Sequence, residues 1–147
     1  MRVSVIGLVL LICAAALISG VSAQNVENNA GYSVTPAGSL ILPSVMSPMT
    51  TGTITTGETD WYLVNVPTGA ASITVDLNWG YSPDVLTLSA IAPDGTIGPY
   101  YDAADGVIDG RIYITIIRAG GIAPGAWKFK VYGENVLGSQ RYNFLTN

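Results

Sequence analysis

The segment GETDWYLVNVP, residues 57–67, shows the pattern on which the rest of the chain is built. A polar turn with two acidic residues leads into an aromatic and aliphatic run, and a proline closes it. Tyr62, Val64 and Val66 fall on one face, and the odd-numbered side chains from Trp61 onward fall on the other. A two-residue period of this kind is typical of a β-strand with one buried face. We predict that this strand opens a β-sheet domain.

Segments with the same period, or rich in β-branched residues, recur along the chain between glycine and proline turns. They make about eight short strands, and no helical period occurs after the first 23 residues. We therefore predict an all-β fold, an antiparallel β-sandwich with a jelly-roll-like arrangement. The segments are residues 39–45, 50–56, 61–66, 71–79, 85–91, 111–118, 127–132 and 142–144.

Three stretches have distinct expected positions. Residues 39–45 suit only a sheet edge, because Pro43 removes a backbone donor. Residues 111–118 are apolar on one face and only weakly polar on the other, which predicts a central strand covered on both faces. Residues 96–110 are the most acidic stretch, and we predict that they are irregular.

The first 23 residues have the features of a secretory signal peptide. Arg2 supplies a positive start, residues 3–18 are almost wholly apolar, and residues 21–23 suit a signal peptidase. We predict cleavage before Gln24, a secreted or cell-envelope location, and no stable membrane insertion afterwards. An uncleaved anchor is the alternative, although the apolar run is near the lower length limit for a bilayer span.

The remaining chain divides into a polar leader, residues 24–46, and a sandwich domain, residues 47–147. Cleavage removes Cys13, and the chain contains no histidine, so the mature protein has neither residue. Export without disulfides favours a prokaryotic envelope or medium. Five basic residues then stand against ten acidic ones, a net charge of −5, and at that charge we do not expect nucleic acid as a partner.

The composition of the mature chain argues against an enzyme. Without histidine or cysteine, serine or cysteine nucleophiles activated by histidine are excluded, and so are zinc sites with histidine or cysteine ligands. Glu58 and Asp60 form a close carboxylate pair, but they lie in a turn beside a strand, where acids are usually solvated. We predict that the protein has no catalytic residues.

Calcium is the one cofactor for which the sequence offers ligands. Asp102, Asp105 and Asp109 lie in one loop with Gly106 and Gly110, and calcium binds carboxylates and backbone carbonyls. Their spacing is not that of an EF-hand. The alternative is an acidic surface loop whose charges are simply solvated.

Four loop aromatics are candidates for ligand binding. Trp79 and Tyr81 flank Gly80, and Tyr100 and Tyr101 follow a proline in the acidic loop. Exposed planar rings in loops suit sugar faces or protein surfaces. For Trp79 the alternative is a core position, since it continues the inward face of the strand before it.

The same residues carry a family resemblance. Residues 57–69, the segment from Leu86 to Gly95, and residues 124–131 resemble, in order, the motifs of bacterial and archaeal pre-peptidase C-terminal domains. The resemblance implies a jelly-roll-like sandwich similar to the P domain of proprotein convertases, with no catalytic residues. Some relatives bind calcium through acidic loops, but Thr87 stands where an acid is common in the family.

Two functions remain open from the sequence. The first is a secreted, non-catalytic module that attaches to an envelope polymer, a polysaccharide or a partner protein through loop aromatics. The second is a structural protein of the cell surface or extracellular space that associates with itself. The resemblance favours the first, and the absence of an attached catalytic domain in this sequence favours the second.

Overall fold

The computed structural model of the chain describes residues 30–38, 49–80 and 83–147. The predicted signal peptide, the run at 39–45 and Tyr81 lie outside these residues. Within the described residues, no helical segment could span a bilayer.

The described residues form an all-β sandwich, which confirms the predicted fold class. A five-stranded sheet has the strand order β1-β7-β4-β9-β2, and a four-stranded sheet has the order β3-β8-β5-β6. All strand pairs are antiparallel. The strands are β1 Tyr32–Pro36, β2 Thr50–Ile54, β3 Thr59–Val66, β4 Ser72–Asn78, β5 Val85–Ala92, β6 Gly95–Tyr100, β7 Arg111–Arg118, β8 Gly125–Asn135 and β9 Gln140–Thr146.

The core lies between the inner faces of the two sheets. In β4, every second residue is buried, and in β8 the same alternation buries Trp127, Phe129 and Val131 completely. The indole of Trp127 donates a hydrogen bond to the Ala123 carbonyl, 2.8 Å away, so its one polar atom is satisfied inside the core. The two-residue period read from the sequence therefore determines which side chains make the core.

The leader predicted at residues 24–46 contains a strand, β1, which pairs with β7 along its whole length. Tyr32 is buried, and its hydroxyl donates to the Asp94 carboxylate at 2.7 Å and accepts from the Ala123 amide at 3.2 Å. Arg118 forms an ion pair with the same carboxylate and lies over the Tyr32 ring. These contacts across the sandwich order a segment whose sequence is polar and has no long apolar period.

The stretch expected to be irregular, residues 96–110, is ordered as well. Gly95–Tyr100 forms β6 at the edge of the four-stranded sheet, and Asp102–Asp105 forms a 3-10 turn. The prediction missed β6 because glycine and proline interrupt its pattern. β7 lies inside its sheet, between β1 and β4, as expected, but only one of its faces is covered, and Ile117 is 39% exposed.

The edges of the two sheets meet at β2 and β3, where polar side chains close the gap. The Tyr142 hydroxyl lies 2.5 Å from the Asp60 carboxylate and 2.6 Å from the Tyr62 hydroxyl. A side chain at Gly52 would overlap the Tyr142 ring, since its Cβ would lie 2.4 Å from that ring. Asp60 is therefore part of the closure between sheets and not a free carboxylate.

Candidate functional site

The outer face of the four-stranded sheet carries the exposed apolar side chains that best suit binding. Trp61 is 56% exposed and Leu63 is 74% exposed, although both lie in the regular strand β3. They point away from the core because they occupy the odd positions of a strand whose even positions face inward. We give the name Trp61 face to five outward side chains of β3 and β8: Trp61, Leu63, Lys128, Lys130 and Tyr132.

The strand register brings these side chains together. Trp61 lies directly opposite Lys130, and Leu63 lies directly opposite Lys128. Directly opposite residues on one face of an antiparallel pair have Cβ atoms about 5 Å apart. The Lys130 ammonium also lies 5.1 Å from the centre of the Tyr132 ring. The result is a flat patch of aromatic, aliphatic and cationic groups.

The charges of the Trp61 face differ from those on the rest of the protein. Lys128 and Lys130 are the only two lysines of the chain. Within the described residues neither forms an ion pair, whereas Arg111 pairs with Asp76 and Arg118 pairs with Asp94. Two neighbouring ammonium groups without counterions form a local positive site on an acidic protein.

The three described loop aromatics, Trp79, Tyr100 and Tyr101, do not share an exposed surface. Trp79 is buried, and its indole donates to the Asp84 carbonyl at 3.1 Å, so the core alternative is the one observed. Tyr100 is also buried, and its hydroxyl has no hydrogen-bond partner among the described residues. Tyr101 is exposed at 37%, and the nearby Glu134 carboxylate raises its pKa.

The buried phenol of Tyr100 has an altered acidity. Burial raises the pKa of Tyr100 to about 12, because the phenolate loses its hydration in the core. This side chain fills the interior beneath β6 and is unavailable to a ligand. Its burial differs from the exposed loop ring on which the predicted binding role depended.

Two of the three aspartates predicted to bind calcium instead bind the backbone of their own loop. The Asp102 carboxylate accepts hydrogen bonds from the amides of Gly110 and Arg111 at 2.9 and 3.1 Å. The Asp105 carboxylate accepts from the amides of Val107 and Tyr113, each at 3.0 Å. Burial raises the pKa of Asp105, and the charges of the other two aspartates add to the effect.

The acidic loop therefore has a structural explanation. Its carboxylates accept hydrogen bonds from backbone amides between the 3-10 turn and the start of β7. In the part of the chain that the structure describes, no group of three or more acidic side chains is placed to hold a metal ion. Asp102, Asp105 and Asp109 share the loop, but they do not form a calcium cage.

The carboxylate pair of the β2–β3 turn is also used internally. Glu58 accepts hydrogen bonds from the amide and the hydroxyl of Thr55, at 2.9 and 3.0 Å. Asp60 accepts from Tyr142 on the inner side of the sheet. Glu58 thus stabilises the turn, and Asp60 contacts Tyr142 of the other sheet.

The sequence already indicated the apolar residues of the Trp61 face, but the prediction placed the binding residues in loops. The alternation in residues 57–67 already placed Trp61 and Leu63 on the polar side of the strand, where large apolar groups are unusual. Lys128 and Lys130 were likewise on the outward side of their strand. Only the pairing of β3 with β8 shows that these residues are neighbours.

Comparisons with known proteins leave the family open. No family model matches the chain, and no curated protein matches it either. Among solved structures, the chain is similar to the Clostridium perfringens CspB protease, with a TM-score of 0.49 and 18% sequence identity. The match covers 65% of this chain and 25% of that protease, so the chain spans about a quarter of its length. A likeness of this degree carries no argument about activity.

Proposed function

We propose that this protein is a non-catalytic binding module of the extracellular space or cell envelope, and that it attaches to an acidic polysaccharide through the Trp61 face. The observation that carries the proposal is the exposed Trp61 ring directly beside two lysines that have no ion-pair partner in the described chain. The export signal predicted at residues 1–23 supports the location, and the resemblance to pre-peptidase C-terminal domains supports a binding role.

The chemistry of the patch favours a sugar polymer. An exposed indole offers a flat, polarisable surface on which a pyranose ring can stack. Lys128 and Lys130 lie two residues apart on one face of β8, so their ammonium groups can meet carboxylates or sulfates along the same chain. The patch lies on the outer surface of a sheet, which suits an extended polymer better than a small ligand that needs a pocket.

Sedimentation with insoluble polysaccharides tests this proposal. Trp61→Ala should weaken retention on an acidic polysaccharide by about tenfold or more, as for a central aromatic contact. Ile117→Ala, which removes an exposed apolar side chain from the opposite sheet, is the matched control and should leave retention unchanged. Equal retention of both variants and the parent chain would contradict the proposal.

The location has its own test. Mass spectrometry of the protein released from its native host should find a chain that starts at Gln24. A full-length chain that fractionates with membranes would instead show that the segment remains as an anchor.

A further inference from the structure

The four sheet edges of the sandwich differ in how well they resist pairing with another strand. β1 ends in Pro36, and β6 contains Pro99 and a register irregularity against β5. β2 has only five residues. β3 has eight residues in unbroken register with β8, without proline or lysine. Proline, bulges, charges and short length usually protect an edge strand from pairing with another chain. Of these features, β3 has only one charged residue.

The free backbone groups of β3 belong to the residues with exposed side chains. The Gly133 amide donates to the Glu58 carbonyl at 3.1 Å, so even-numbered residues direct their backbone groups toward β8. In an antiparallel ladder this direction alternates. The amides and carbonyls of Trp61, Leu63 and Asn65 therefore point to the open edge. Among the described strands, none pairs with that edge.

The charges of β3 permit a second copy to approach. Its one charged residue is Asp60, whose carboxylate is turned inward and held by Tyr142. The outward positions Thr59, Trp61, Leu63 and Asn65 are uncharged, so two β3 edges can meet without like charges opposite each other. The lysines lie one strand further in, on β8, and so they stay at the surface.

We propose that two copies of this chain associate through their β3 edges in antiparallel register, which joins the two four-stranded sheets into one of eight strands. The pleat requires outward side chains to lie opposite outward side chains. The register that pairs apolar groups best places Trp61 opposite Leu63 of the second copy, and Leu63 opposite its Trp61. The two exposed apolar residues of each copy then contact each other side by side across the new strand pair, and their outer surfaces stay in solvent.

The contact is of the size expected for a weak dimer. In this register residues 59–65 of the two copies pair, and seven residues extend over about 24 Å. With two indoles and two leucines it stays below about 1,200 Å², the lower bound of standard stable interfaces. We therefore expect an association that depends on concentration across roughly 1 µM to 1 mM. The pairing would also bring two Trp61 faces and four lysines onto one continuous sheet, but it does not depend on any ligand.

Analytical ultracentrifugation of the mature chain tests the pairing without ligand. The parent should shift from monomer to dimer as its concentration rises. Leu63→Pro removes an amide that points to the open edge and leaves the bonds to β8 in place, so it should weaken dimerisation at least tenfold. Leu63→Lys, which places an extra charge at the same edge without a proline, provides a second variant if the first does not fold. A parent that stays monomeric at 1 mM, or variants that dimerise like the parent, would overturn the proposal.

Disulfide trapping tests the register. The mature chain lacks cysteine, so single variants Trp61→Cys and Leu63→Cys can be mixed and oxidised. Directly opposite residues are close enough for a disulfide, whereas residues offset by two positions are not. Mixed dimers should form at least several-fold faster than dimers of either variant alone. Equal rates would contradict the register. Polysaccharide retention by a monomeric chain would leave the proposed function standing while this inference fails.

Discussion

The two outer faces of the sandwich obey the same two-residue period but differ in how their side chains are satisfied. On the five-stranded sheet, Thr35, Thr115 and Thr74 stand opposite one another across three strands. The hydroxyls of Thr74 and Thr115 lie 3.1 Å apart, and Arg111 holds Asp76 through two hydrogen bonds of 2.7 Å. This face is hydrogen-bonded within itself.

The Trp61 face has the opposite character. Its indole and its leucine are exposed, and its two lysines form no ion pair among the described residues. The Lys130 ammonium lies over the Tyr132 ring. Exposure alone therefore does not identify a binding surface. What marks it is exposure of groups whose favourable contacts the protein itself does not supply.

The largest expected effect separates two tryptophans of the same sheet. Trp127→Ala should lower the free energy of unfolding by about 3–5 kcal/mol, because it empties a fully buried site in the shared core. Trp61→Ala should change it by less than about 1 kcal/mol, because the ring packs little in the isolated chain. Urea unfolding of the dilute proteins measures both. A large loss in Trp61→Ala would mean that the Trp61 face is part of the scaffold.

Alkaline pH should weaken the core beneath both faces. Burial raises the pKa of Tyr100 to about 12, and burial with the hydrogen bond to Asp60 raises the pKa of Tyr142. The folded chain holds these protons more tightly than the unfolded chain, in which the pKa is near 10. Stability is therefore complete below pH 10 and falls as the pH rises toward and beyond 12.

The phenylalanine variant isolates the contribution of Tyr100. Tyr100→Phe removes a buried hydroxyl that has no partner in the described structure, so it should cost no stability at neutral pH. At about pH 11 it should lose less stability than the parent chain. Urea midpoints at the two pH values provide the measurement, and an identical pH dependence of variant and parent would show that another group dominates.

A smaller effect should distinguish the charges of the two faces. Replacing both lysines, Lys128→Gln and Lys130→Gln, should weaken binding to an acidic polysaccharide several-fold and reduce its sensitivity to salt. Arg141→Gln, a cation on the five-stranded sheet, is the matched control and should change neither. Binding isotherms at two salt concentrations measure both the affinity and its dependence on salt. An effect of Arg141→Gln that equals the effect of the double variant per charge removed would indicate a response to net charge alone.

The smallest effect concerns the neighbouring threonines on the outer face of the five-stranded sheet. Thr74→Val removes one side-chain hydrogen bond on a half-exposed face and should cost about 1 kcal/mol or less. Polysaccharide retention should stay at the parent level, because this face lies on the other side of the sandwich. Reduced retention of a folded Thr74→Val protein would show that binding is not confined to the Trp61 face.

Much of the fold could be predicted because strand period and turn residues are local properties. Seven of the observed strands coincide with predicted segments, and the bounds of β7 were predicted as observed. β1 was missed because Tyr32 gains its place through Asp94, Ala123 and Arg118, which are distant in sequence. The exposure expected for Trp79 and Tyr100 was not observed, because burial of a loop residue depends on what packs over it.

By itself the sequence determined which side chains of each strand face inward, since a two-residue period needs no knowledge of neighbours. It also determined that the chain has no histidine and that its single cysteine lies within the first 23 residues. Only the tertiary structure decided which strands are neighbours, and so placed Trp61 beside Lys130 and left β3 at an edge. The physical reason is that strand pairing joins residues far apart in the chain, and no local pattern specifies the partner.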